Sequence, residues 1–257
     1  MRHLSETLAA TAAALLLATP ALAQGDSIVE ANTALLEPGD VVAAARIPDG
    51  IYLRDVNDPD DIIWERLPEY RVLLNPAPAV HASVELRINY DQEPVPVYLN
   101  IARTSDRFYV RMRWRDDTRD TVTRSDRFRD GAAVQFALND DVTSYMMGTD
   151  PSEPVNIWYW RSDSGAVENL AAGGPGSTTR LPTQPVSGDA RYDDNAGDPN
   201  EWVVVMSRPL AVSGDYEASF RRLEVPMAFA VWQGSDGQRD GLKSVSDGWI
   251  LVDLGEE

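Results

Sequence analysis

The chain contains no cysteine. That excludes disulfides, thiolate metal sites, iron–sulfur ligation and covalent attachment of a haem through Cys-x-x-Cys-His. Histidine is nearly as scarce, with only His3 and His81. Because His3 falls in a segment that reads as removable, neither a zinc site with two histidines nor a bis-histidine haem can be built. A Ser-His-Asp arrangement would depend on His81, and no Gly-x-Ser-x-Gly elbow accompanies it, so hydrolysis finds no support. Lysine is scarcest of the ionisable residues: among 23 Lys and Arg side chains, Lys243 is the only lysine. Arginine serves wherever a surface lysine does, but only an amine can release its proton at accessible pH and offer a nitrogen lone pair. Lys243 is thus either a surface residue left by composition bias or one whose task requires an amine.

Long apolar runs are also missing, except at the N-terminus. Arg2 and His3 precede an apolar run from Leu8 to Ala18, then Pro20 and the small-residue site Ala21-Leu22-Ala23. This is the pattern of a secretory signal over residues 1–23, cut after Ala23, without a twin arginine. No later segment approaches the length that crosses a bilayer as a helix. The expectation is export to the periplasm with no membrane span. The formal charge is -18, and losing the signal leaves it unchanged because Arg2 and Glu6 cancel. Such acidity disfavours nucleic acid and anionic membranes and favours a cationic partner.

What is present is ample for one packed core: 257 residues, 43% of them hydrophobic, with glycine and proline at 17 each to make turns. Residues 24–257 are expected to form a single domain. Val41 to Arg46 and Gly50 to Arg54 read as short strands around a Pro48-Asp49-Gly50 turn. The cluster Asp55, Asn57, Asp60 and Asp61 resembles a calcium loop, but Pro59 takes a ligand position and Arg66 replaces the closing glutamate. A solvated loop is the competing reading. Ile62, Ile63 and Trp64 then read as an anchor at the edge of the core. Residues 82–91, 97–103 and 108–115 alternate with period two and predict an antiparallel meander, the last run turning Phe108, Val110, Met112 and Trp114 inward. Arg115 to Arg129 reads as a solvated connection. Ser162 to Pro199 reads as a long irregular segment, functional or facing a partner, and two further strands plus GLKSVSDGWILVDL complete the chain. The whole predicts an all-β, antiparallel two-sheet sandwich with minor helix.

One stretch stands apart. Between the strand-like runs AAVQFAL and PVNIWYW, a polar loop carries Tyr145, Met146, Met147 and Gly148. Flexible apolar thioethers normally fill gaps in cores, so one reading tucks a methionine under the sheet. The other offers a soft sulfur ligand to a metal or haem iron. Across PVNIWYW, Val155, Ile157 and Tyr159 share one face and Asn156, Trp158 and Trp160 the other. This strand is therefore expected to be covered on both sides.

The runs DGAAVQFAL, MMG, PVNIWYWR and GLKSVSDGWILVDL, with the Asp-Pro-x-x-x-x-Trp segment at Asp58 to Trp64, resemble the haem b (γ) subunits of periplasmic type II molybdoenzymes. Members serve dimethylsulfide dehydrogenase, ethylbenzene dehydrogenase, selenate reductase and chlorate reductase, the first being the preferred branch. The resemblance runs from about Val41 to the C-terminus. It implies a β-sandwich whose loops hold one non-covalent haem b between a methionine and a lysine. Carried over by motif, these are Met147 and Lys243, with Met146 as the fallback thioether and His81 as a poorer substitute. With both axial positions filled, the role implied is electron transfer rather than catalysis. Partners would be an iron–sulfur β subunit and a molybdenum α subunit in a heterotrimer, and a soluble cationic c-type cytochrome. A different class also fits the residues: a secreted carbohydrate-type module with Trp158, Trp160 and Trp232 as a stacking platform.

Overall fold

Period-two alternation of apolar and polar residues drives most of this chain into strands. The computed structural model describes residues 33–51, 53–139, 143–195, 199–212 and 214–255. The expected signal at residues 1–23 lies outside them. In chain order the first strands are β1 (Ala34–Leu35), β2 (Val41–Ala43), β3 (Ala45–Arg46) and β4 (Tyr70–Pro76), followed by one helical turn, α1 (Ala82–Glu85). Then come β5 (Val95–Arg103), β6 (Arg107–Arg115), β7 (Gly131–Ala137), β8 (Val155–Arg161), β9 (Val167–Ala172), β10 (Thr179–Arg180) and β11 (Ser187–Asp193). The chain closes with β12 (Glu201–Pro209), β13 (Glu224–Trp232), β14 (Ser244–Val245) and β15 (Ile250–Asp253).

These strands form a mainly antiparallel two-sheet sandwich. The first sheet runs β4-β5-β6-β12-β11 and the second β10-β9-β8-β7-β13, with β15 on β13. Three short pairings, β1 with β4, β2 with β15 and β3 with β5, are parallel. The sheets are stitched at one edge by β14, which pairs β13 on one side and the end of β4 on the other. Between the sheets, Phe108 and Trp114 from β6 meet Trp158 and Trp160 from β8, each pair edge to face at 6.3 Å between ring centroids. All four rings are buried. On the far side of the first sheet, Ile63 and Trp64 pack with Ala102, Tyr109 and Val205, as the anchor reading expected, while Ile62 is exposed.

Three expectations are corrected. Residues 82–91 are not a strand: His81 caps α1, accepting from the Ser83 N–H at 3.1 Å, and Leu86 is 87% exposed. The spacing of Val84 and Ile88 suits a helical turn as well as a strand, and those two are the partly buried ones. Nor do the described residues of Gly50 to Arg54 form a strand, because Asp58 and Asp61 bind the Arg54 side chain and N–H, closing a turn. Ser162 to Pro199 is not wholly irregular, since it contains β9, β10 and β11. Its polar edge strand β11 is half-buried except at the exposed Asp189, so it lacked the apolar stripe by which strands are recognised.

Candidate functional site

The second sheet is apolar on both faces, yet only its inner face meets the other sheet. Its outer face carries Ala133, Val155, Ile157, Leu170, Ala230 and Val245. Loops rather than a third layer cover it, leaving a cavity of about 780 Å³. That volume falls within the roughly 300–1,000 Å³ usual for ligand and cofactor sites. Small residues make the room. Ala133, Ala228 and Ala230 face outward on the two central strands, where larger side chains would fill it. One wall is the α1 segment, with His81 and Val84, and another is the loop joining β7 to β8.

That loop presents Met147. Gln135 on β7 donates to the Tyr145 carbonyl at 2.8 Å, and the Trp249 indole donates to the Thr143 carbonyl at 2.6 Å. The Gly148 N–H closes the turn on the Ser144 carbonyl at 3.0 Å, while the Met147 carbonyl accepts from the Gly174 N–H at 2.8 Å. Met147 itself sits at φ 67°, a left-handed conformation that a non-glycine residue holds only where its surroundings impose it. Gly148 follows at φ +86°, and a Cβ there would lie 2.9 Å from the Glu153 carbonyl oxygen. These two left-handed residues turn the loop back against the β9–β10 connection.

Lys243 enters from the other side of the chain's order. Its carbonyl accepts from the Ala77 N–H at 2.8 Å, and β14 begins at the next residue, so the stitch between the sheets fixes its backbone. The Lys243 Nζ lies 3.5 Å from the Met147 Sδ and 5.0 Å from the centroid of the Trp232 ring. It makes no ion pair among the described residues. A half-buried ammonium facing a thioether and a ring is poorly solvated, and this desolvation pushes its pKa down to about 8. A thioether and an amine with weakened proton affinity make a soft-to-borderline donor pair suited to a transition metal. Met146 also packs against this face, but Met147 is the one whose sulfur meets the amine. The donor set, the apolar floor and the volume all fit a haem.

The other sequence candidates are distributed differently. His81 borders the cavity, exposed, with its Nδ1 2.7 Å from the Ser83 Oγ. Trp158 and Trp160 are buried in the sandwich core, so they make no sugar platform; only Trp232 reaches the cavity. In the former calcium candidate, Asp60 pairs with Arg191, and Asn57 bonds Ser187 and Ser207 across to the first sheet. Sequence reading missed two features in the segment ending at Arg129. Arg129 reaches the cavity, and Asp116 is a buried carboxyl beside a second buried carboxylate, Asp130. Neither arginine nor aspartate carries a burial signal in so polar a run.

Fold and site together define a β-sandwich with a cofactor-sized cavity on one outer face. No family model matches the chain. It is 56% identical over 247 residues, 95% of this chain and 93% of the other, to the dimethylsulfide dehydrogenase subunit gamma of Rhodovulum sulfidophilum. It is 36% identical to the chlorate reductase subunit gamma of Ideonella dechloratans, covering 76% of this chain and 78% of that one. A putative respiratory nitrate reductase heme subunit of Haloferax mediterranei is also 36% identical, covering 77% and 68%. The chain belongs to the gamma-subunit family of these oxidoreductases, with dimethylsulfide dehydrogenase gamma as its preferred branch. Among solved structures, a putative carbohydrate-binding protein from Bacteroides uniformis is 12% identical over 84% of this chain and 99% of that one, with TM-score 0.47. A family 9 carbohydrate-binding module from Caldicellulosiruptor kristjanssonii is 9% identical over 85% and 97%, with TM-score 0.43. Likeness this slight carries no argument about ligands.

Proposed function

We propose that the chain is the electron-transfer subunit of a periplasmic molybdoenzyme complex and holds one non-covalent haem b, with Met147 and Lys243 as its axial ligands. The observation that carries this is the approach of the Lys243 Nζ to the Met147 Sδ at 3.5 Å within a cavity of cofactor size. The bound group supplies a one-electron couple, and the chain supplies everything that makes it an electron carrier. Met147 offers a thioether, which favours the reduced iron, and Lys243 a neutral amine. With Met147 and Lys243 both holding the iron, the group would serve electron transfer and would not bind substrate. The apolar floor of Ala133, Ile157 and Ala230 excludes water. The relatives' names place such chains in oxidoreductase complexes, which supports an iron–sulfur β subunit and a molybdenum α subunit as partners in a heterotrimer. A soluble c-type cytochrome would be the exit partner. Export by residues 1–23 would leave residues 24–257 as the mature domain.

The test is the composition of the native complex. Purified from its own cell envelope, it should carry one extractable b-type haem per copy of this chain, with a low-spin absorption spectrum. A colourless chain that takes up no added haemin contradicts the proposal.

A further inference from the structure

A second cavity, of about 220 Å³, adjoins the first, and Arg129, Tyr159, Trp232 and Asp240 line both. Its additional walls include Arg124, Arg239 and Thr123. Three arginines therefore line the space beside an apolar chamber, one of them shared with it, in a chain whose formal charge is -18. Each is placed differently. Arg129 donates to the Thr123 Oγ at 3.0 Å and stands 3.6 Å from Asp163, which Arg161 also holds at 3.1 Å. The Arg129 Nε is buried without a hydrogen-bond partner. Arg239 lies over the Phe128 ring at 4.4 Å. Arg124 is exposed, on a turn closed by its own N–H to the Arg127 carbonyl at 2.7 Å. Asp240 is the one carboxylate in the lining, and its carbonyl accepts from the Trp232 indole at 3.2 Å.

An apolar chamber that opens onto arginines selects a ligand with an apolar body and anionic groups at one edge. We infer that this arginine porch, led by Arg129 and Arg239, binds the two carboxylates at the edge of the haem. The inference rests on the function proposed above and adds which edge of the group lies at which end of the cavity. Arginine suits the task because its planar fork matches a carboxylate in bidentate fashion and stays charged at every working pH.

The test compares four probes on the full chain freed of haem: haemin, haemin dimethyl ester, metal-free protoporphyrin IX and its dimethyl ester. Binding is read from the absorption of the porphyrin and the quenching of tryptophan fluorescence. A charge-assisted hydrogen bond is worth roughly 10- to 100-fold in affinity. Free acids should therefore outbind their esters by at least about tenfold. Arg129→Gln and Arg239→Gln should each narrow that gap, whether or not the ring contains iron. The ester comparison needs no variant, so an unstable mutant does not block it, and Arg124→Gln is an exposed substitution that spares the fold. The iron-free pair is independent of Met147 and Lys243. If haemin binds with a low-spin spectrum while acids and esters bind equally, the porch is refuted and the axial proposal stands. If neither haemin nor protoporphyrin binds, both fall.

Discussion

At the scale of the residue, two neighbouring buried carboxyl groups, Asp116 and Asp130, tie the stability of the fold to pH. The Oδ2 of Asp116 is buried without a hydrogen-bond partner. Burial first, and the neighbouring charge of Asp130 second, push its pKa from 3.8 up to about 8. Asp130 is better served, accepting from the Gly234 N–H, the Asp120 N–H and the Trp202 indole, though burial raises its pKa too. The sign follows from proton linkage. Between pH about 4 and 8 the folded chain holds a proton on Asp116 that the unfolded chain has released. Stability contributed by this proton is full below the unfolded pKa and is lost as pH rises towards 8. Asp116→Asn should flatten the decline, because the amide keeps the uncharged form at every pH. Urea denaturation of both proteins at pH 5, 6, 7 and 8 checks this, and parallel declines would refute the role of Asp116. Residue-level singularity is also what made the candidate site legible. One lysine in a chain that otherwise chose arginine, and paired methionines in a polar loop, can be seen without a structure. Arg129 and Asp116 could not be, since only the fold buries them.

At the scale of the element, the connection between β7 and β8 sets the position of Met147. Its left-handed turn depends on Gly148, where an added Cβ would lie 2.9 Å from the Glu153 carbonyl oxygen and 3.0 Å from that of Ala172. Gly148→Ala is expected to destabilise the fold by about 1–3 kcal/mol and to loosen the loop. The checks are chemical denaturation and the rate at which haem passes to an excess of a haem scavenger, which should rise severalfold. An unchanged rate would show that the loop holds Met147 by other means. Strands such as β6 and β8 were legible because their inward rings alternate with outward residues. The 82–91 segment was not, since Val84 and Ile88 satisfy both periods, and β11 carries too little apolar area to announce itself. Because β11 pairs with β12, residues 162–199 are not the irregular partner-facing segment that their composition suggests.

At the scale of the whole molecule, the charge of -18 sets up a field that would attract the proposed basic electron partner from beyond contact distance. Salt shortens that reach to roughly 8 Å at physiological ionic strength. Electron transfer between the haem-loaded complex and a basic c-type cytochrome should therefore slow by roughly tenfold or more between low and physiological salt. Stopped-flow rates over that range decide the matter, and indifference to salt would confine the acidity to solubility. The central claim, that Met147 and Lys243 hold the haem iron, is tested most directly by the absorption spectrum of the haem-loaded chain and three variants. Lys243→Arg and Met147→Ala should each abolish the native low-spin spectrum while the fold persists, and Met146→Ala should leave it intact. A native spectrum retained in Lys243→Arg, or lost in Met146→Ala but kept in Met147→Ala, would contradict the assignment.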